Sequence, residues 1–231
     1  MSAAAPVAVV TGAASGIGAA VCRALEATGW TVVGVDMRRP DHLAHSFVCD
    51  VSDPHAVKAA FARIEAEIGA VGALVTAAGH YEFAPIGEIT EDQWSRMMRV
   101  HIGGLLNPLR AVLPGMIERQ DGAVVAISSE LGIGGTESEA HYSAAKGAIL
   151  GLVRSLGSEV AGHNVRVNAV APGPTDTPLL PAAQRTPEYL ASLPARALGQ
   201  PEDIAQAVQF LVDEGGFCFG EVMSPNMGAV I

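Results

Sequence analysis

The chain is 231 residues long, 49% hydrophobic and 16% charged, with a formal net charge of -10. This balance suits a large buried core and excludes a disordered segment. An acidic chain attracts neither nucleic acid nor an anionic membrane surface, so no such partner is expected.

Short β-branched runs alternate with longer Ala-rich amphipathic segments, the pattern of repeated βα units around a parallel sheet. Val7–Thr11 reads as the first strand and Gly16–Thr28 as the first helix. Thr31–Asp36 and Ser46–Cys49 are the next strands. Asp53-Pro54 predicts a capped helix start, the helix running to about Ile68. Gly72–Thr76 is a fourth strand, and Glu91–Glu118 reads as one long helix in which Pro108 and Pro114 imply a kink or an early end. Ala123–Ser128 is a fifth strand, His141–Ala161 a helix, Val165–Val170 a sixth strand, Pro201–Asp213 a helix and Glu221–Ser224 a seventh strand. Pro172–Gln200 breaks the rhythm with five Pro residues besides Pro172, and reads as a mobile substrate loop holding a short helix. Nothing divides the chain, so residues 1–231 are expected to form a single domain: an α/β, Rossmann-like, doubly wound parallel sheet of about seven strands with helices on both faces.

Cys22, Cys49 and Cys218 are widely spaced with no CxxC, and read as reduced, buried thiols of a cytoplasmic protein. The first residues carry no basic region and no run of eighteen apolar residues occurs, so neither a signal peptide nor a membrane span is expected. The seven His residues form no HExxH or HxxxH pair, and no metal site is expected.

Two clusters carry chemistry. Thr11-Gly12-Ala13-Ala14-Ser15-Gly16-Ile17-Gly18 lies at the first strand–helix junction, where glycines let a pyrophosphate approach the free N–H groups of a helix start. Eighteen residues past Gly18 stands Asp36, at the end of the second strand. A carboxylate there accepts hydrogen bonds from an adenosine ribose and repels a 2′-phosphate, favouring NAD over NADP, while Arg38 and Arg39 soften the preference. The second cluster is Tyr142-Ser143-Ala144-Ala145-Lys146, which puts a phenol and an ammonium on one helix face. An ammonium ~4 Å from a phenol, at an effective dielectric of ~20, favours the phenolate by roughly 4 kcal/mol, or about three pKa units. Burial opposes that shift. Taken alone, the pair reads as an exposed Tyr and Lys on an ordinary helix, and what overturns that must come from elsewhere in the chain.

With these motifs in one order, the chain resembles the short-chain dehydrogenase/reductase family. The nearest likeness is to its single-domain branch of 3-oxoacyl-carrier-protein reductases and secondary-alcohol dehydrogenases. Thr11–Gly18 is similar to the family's TGxxxGIG turn, and Tyr142–Lys146 to its YxxxK signature. The resemblance implies that Ser129, thirteen residues before Tyr142, hydrogen-bonds the substrate oxygen, and that Ser128 is structural. It implies that Gly12, Ser15, Gly16, Ile17 and Gly18 hold the pyrophosphate, and that Asp50 and Val51 meet the adenine. Ala78 and Gly79 would lie under the cofactor, and Pro172, Thr175 and Thr177 would position the nicotinamide. Tyr142 would act as general acid or base, with Lys146 lowering its pKa and holding the nicotinamide ribose.

The implied activity is NAD(P)-dependent interconversion of a secondary alcohol and a ketone. The implied assembly is a homotetramer built through the long helices and the C-terminal segment. The apolar run Gly216–Phe219 suits a buried contact there, or a core strand. A different reading, a non-catalytic NAD-binding sensor or scaffold of the same fold, stays open. Two departures give it weight. Thr76-Ala77-Ala78-Gly79 replaces the family's NNAG, and His101 stands where the family carries an Asn whose carbonyl holds a relay water. His101 is therefore either a buried, hydrogen-bonded side chain or an alternative proton carrier. His80, Tyr81, Glu130, Glu137, Glu139 and His141 lie near the presumptive cleft in sequence order, as polar lining or as a solvated rim.

Overall fold

Seven parallel strands form one sheet in the order β3-β2-β1-β4-β5-β6-β7 in the computed structural model, which describes residues 5–230. The strands are β1 (Val7–Thr11), β2 (Thr31–Asp36), β3 (His45–Val48), β4 (Val71–Thr76), β5 (Gly122–Ile127), β6 (Val165–Val170) and β7 (Val222–Met223). The helices are α1 (Gly16–Ala27), α2 (Pro54–Glu67), α3 (Glu91–Met98), α4 (Gly104–Arg119), α5 (Leu131–Gly134), α6 (Ala140–Val160), α7 (Pro187–Ser192) and α8 (Pro201–Gln209). No helix among the described residues is long and apolar enough to cross a membrane.

Burial on both faces explains why the central strands are apolar almost throughout. Val7 and Val9 of β1 face one core, with Val124 of β5 and the helical Phe61, Leu109 and Val153. Ala8 and Val10 face the other, with Val75, Val125 and the helical Leu25, Ile204 and Val208. Helices α2, α4 and α6 therefore cover one face, and α1 and α8 the other. Each begins for a local reason: Asp53 accepts from the His55 and Ala56 amides (2.8 and 3.2 Å) to cap α2, and Thr90 and Gln93 cap α3 reciprocally.

Three expectations change. The long helix over Glu91–Glu118 is interrupted by a π-helical turn at Arg99–Gly103, while Pro108 and Pro114 lie inside α4. The widened turn lies just ahead of α4, which accommodates both prolines within its length. Gly216–Phe219 is no core strand; it is a turn that buries Cys218 but leaves Phe217 77% exposed. The seventh strand is shorter than Glu221–Ser224, keeping only Val222–Met223 against Ala169 and Val170.

The Pro-rich stretch holds a 3-10 turn (Ala182–Arg185) as well as α7. Its base is closed by backbone pairing: Asp176 N donates to Gly199 O and Gly199 N to Pro174 O, each at 2.9 Å. Where the family's paired amides are missing, Thr11 supplies the tie. Its carbonyl accepts from Ala77 N (3.2 Å) and its hydroxyl from Ala78 N (3.3 Å), joining the ends of β1 and β4.

Candidate active site

A cleft of about 1060 Å³ opens at the carboxyl ends of the strands, where the order reverses between β1 and β4. It gathers every site residue singled out from the sequence, from Gly12 to Thr177. The strand ends supply Asp36, Ala78 and Ser129; the helix starts supply the glycine turn and the first two turns of α6.

The glycine turn fits a dinucleotide. Gly12 has φ +71°, and a Cβ there would stand 2.7 Å from the backbone of Ala77 and Ala78. A Cβ on Gly18 would stand 2.1 Å from the Gly12 carbonyl, so side chains at either place would fill the cradle. Ser15 precedes α1 without a side-chain cap, leaving first-turn N–H groups for an anion. Asp36 is held rigidly at the end of β2, accepting from Ala14 N (3.1 Å) and Arg38 N (3.0 Å). Asp50 is fixed in the same way by Ser52 N at 2.9 Å.

Deeper in, Tyr142 and Lys146 are buried on α6. Lys146 Nζ donates to Ile127 O at 2.9 Å and lies 5.6 Å from the centre of the Tyr142 ring. Ser128 and Ser129 both border the cleft, and the Ser128 hydroxyl is committed to the Lys146 carbonyl (2.8 Å), which pins α6 to β5. The Ser129 hydroxyl donates to Glu130 Oε2 (3.1 Å) and accepts from Leu131 N (3.1 Å).

Burial sets itself against the shift expected from the ammonium. Burial pushes the Tyr142 phenol well above its ordinary range, the Glu130 carboxylate pushes the same way, and only the Ser129 hydroxyl favours ionisation within the protein. Burial also pulls Lys146 down to about 7. Burial thus drives both members of the pair toward their neutral forms and works against any shift the ammonium gives Tyr142.

His101 sits in the π-helical turn at Arg99–Gly103. Its ring fills the space beside Gly79, where a Cβ would stand 2.6 Å from Cε1, and meets the Tyr142 ring edge-on at 5.5 Å. Nε2 donates to His80 O at 2.8 Å, a backbone carbonyl that cannot pass a proton on. Burial, with Lys146 nearby, holds the imidazole well below its usual range. Burial and the bond to His80 O favour a neutral, hydrogen-bonded histidine over a titrating carrier, and leave Nδ1 buried without a partner.

Of the polar residues near the cleft in sequence, Tyr81, Glu130 and Glu139 line it. Glu137 is exposed, and His141 is fully buried 3.6 Å from Glu82. Sequence reasoning missed Gln184 and Tyr189, which the Pro-rich stretch folds back over the cleft. Their signal was their place in that stretch.

A doubly wound parallel sheet, a glycine cradle at its switch point and a buried Ser/Tyr/Lys set define an oxidoreductase of the dehydrogenase class. Residues 6–188 match the short chain dehydrogenase family, and the chain belongs to it. It is 32% identical to a 3-oxoacyl-[acyl-carrier-protein] reductase of Thermotoga maritima, over 97% of this chain and 98% of that one. It is 36% identical to an acetoacetyl-CoA reductase of Shinella zoogloeoides (96% and 97% covered). Identity to a cis-4-hydroxycyclohexanecarboxylate dehydrogenase of Sinomonas cyclohexanicum is 39% (96% and 95% covered). Among solved structures, ligand-free aldohexose dehydrogenase of Thermoplasma acidophilum superposes with a TM-score of 0.91 at 29% identity, covering 97% of this chain and 94% of that one.

Proposed function

We propose that the protein interconverts a secondary alcohol and a ketone, with NAD preferred over NADP. The observation that carries this reading is the convergence of Ser129, Tyr142 and Lys146 on one cleft with the glycine cradle. Bound there, the nicotinamide supplies the hydride chemistry, and the protein supplies orientation and proton handling. Tyr142 takes or gives the hydroxyl proton, and Ser129 donates to the substrate oxygen as charge develops on it. Lys146, anchored by the Ile127 carbonyl, holds the nicotinamide ribose. Its charge helps Tyr142 only when it is protonated. Thr175 is buried with its hydroxyl on Gly173 O (2.8 Å), which leaves its backbone for the carboxamide, and Thr177 and Pro172 border the same place.

Replacing Tyr142 with Phe is expected to lower turnover about 10²- to 10⁴-fold and to leave cofactor affinity near that of the parent. Turnover within tenfold of the parent would sink the assignment. Cofactor binding without turnover of any secondary alcohol would favour the sensor reading instead. The fixed Asp36 carboxylate supports NAD, because a 2′-phosphate would be desolvated against it. Comparing kcat/KM for the two cofactors in Asp36→Ser tests this: the NAD preference should fall at least tenfold.

A homotetramer also fits. Leu106, Leu109, Leu113, Ile117, Leu152 and Leu156 form an apolar groove between α4 and α6, suited to a second copy. Light scattering would give the mass directly. The three free, buried thiols suit a reducing compartment such as the cytoplasm.

A further inference from the structure

The cleft holds two carboxylates that the reaction does not use. Glu130 and Glu139 are 6% and 7% exposed, and both line the cleft with Ser129 and Tyr142. Each stands at a helix start, Glu130 before α5 and Glu139 before α6, yet neither side chain caps its helix. Among the described residues, no basic side chain forms an ion pair with either. Glu139 Oε1 accepts from the Tyr81 hydroxyl at 2.5 Å, but Oε2 is buried with no partner. A buried acceptor left this way costs about 1–3 kcal/mol, more when charged, so a donor belongs opposite it.

The surroundings point to the same side of the cleft. The chain's three tyrosines, Tyr81, Tyr142 and Tyr189, all line it. Tyr81 packs edge-on against Tyr142 at 5.1 Å, and both carboxylates act on Tyr189 as well as on Tyr142. Tyrosine faces and ionised carboxylates together receive ammonium and hydroxyl groups and repel anions, against the opposite pull of Arg96 and Arg99 elsewhere on the cleft wall. Their reach is set by Ser129. The substrate oxygen lies about 2.8 Å from a hydroxyl that binds it. Ser129 now gives its one proton to Glu130 Oε2 at 3.1 Å, so a substrate oxygen that takes that proton frees the carboxylate for a donor on the neighbouring carbon.

We propose that Glu130 and Glu139 form the specificity end of the pocket: they receive a hydrogen-bond donor, a hydroxyl or an ammonium, on the carbon beside the reacting carbinol, and they exclude a carboxylate there. This rests on the dehydrogenase reading above. It separates the chain from the relative named for a hydroxycyclohexanecarboxylate, whose substrate carries an anionic group.

The test is kcat/KM with NAD at pH 8.5, where Glu130, with a pKa of about 7, is ionised, for four substrates of equal chain length: a secondary alkanol, its vicinal diol, its vicinal amino alcohol and its hydroxy acid. The diol or the amino alcohol should exceed the alkanol about ten- to hundredfold, as a hydrogen bond to a charged group allows, with the hydroxy acid last. Which of the two leads tells whether the donor is neutral or cationic. Glu139→Gln and Glu130→Gln should each shrink that ratio, in protein whose cofactor affinity and circular dichroism match the parent. Turnover with the alkanol equal to the best donor substrate, or with the hydroxy acid preferred, overturns the proposal alone. Cofactor binding with no turnover of any of the four overturns the dehydrogenase reading and this one together.

Discussion

Gly12→Ala probes the cofactor cradle most sharply, because two independent costs meet there. The residue holds φ +71°, a left-handed conformation that costs an L side chain about 1–2 kcal/mol. The new methyl would also stand 2.7 Å from Ala77 C and Ala78 N and 2.8 Å from Ala77 O, all backbone atoms that no rotamer change can move. Overpacking of that kind costs about 1–3 kcal/mol. The sum, ~2–5 kcal/mol, corresponds to a Tm lower by roughly 4–20 °C for a domain of this size. Relief comes only by pushing the turn away from β4, which misaims the N–H groups of α1, so NADH affinity should fall at least tenfold. Thermal unfolding and NADH fluorescence titration read the two effects separately. Gly29→Ala is the control: φ is +92°, nothing lies within 4 Å, and the position is remote from the cleft. It should lose a little stability and no affinity. A Gly12→Ala protein with a parental Tm and parental NADH affinity would refute the steric account.

Other outcomes follow from the buried charges. Lys146 has a folded pKa of about 7 against 10.5 for the free group, so its contribution to stability is intact above pH 10.5 and is lost as the pH falls toward 7. Lys146→Met should remove a penalty on the order of 4 kcal/mol at neutral pH, raising Tm and flattening its rise with pH while abolishing turnover. A lower Tm at neutral pH would contradict this. Glu130 has the opposite sign. Burial raises it from 4.5 to about 7, so its stabilising share is present below pH 4.5 and is lost as the pH rises through 7. Melting curves of Glu130→Gln across that window should lack this decline; an unchanged slope would mean that Glu130 does not titrate there. His101→Asn should keep turnover within about tenfold and leave the pH–rate profile unshifted, because a neutral imidazole adds no titration near pH 7. Loss of one limb of the profile would restore the proton-carrier reading.

Strand identity was readable because burial on both faces demands uninterrupted apolar runs, and β1, β2 and β6 run between the residues expected. The break in the long helix was misplaced because proline is a visible breaker, whereas a π-helical turn depends on hydrogen-bond register and leaves no residue signature. Gly216–Phe219 misled for a related reason: its apolar residues split, Cys218 facing inward and Phe217 outward, and composition alone cannot assign a direction. The nucleotide cradle was legible because its glycines answer a backbone requirement. The polarity of the pocket was half legible. Glu130 and Glu139 stood out as acids near Ser129 and Tyr142, but their burial without partners is a three-dimensional fact. The Pro-rich stretch was legible as a substrate loop, but which of its residues turn inward, Tyr189 and Gln184, was not.

The backbone pairing of Thr175 with Gly199 has an evolutionary consequence. Everything between them leaves and re-enters the body of the protein at one closed point, and α8 begins two residues later at Pro201. Insertions, deletions or wholesale exchange of that excursion leave the register of the sheet untouched. Beyond Thr177, which borders the nicotinamide place, the segment is thus an interchangeable cassette: new substrate ranges can be tried there while the cofactor cradle and proton-handling residues stay as they are.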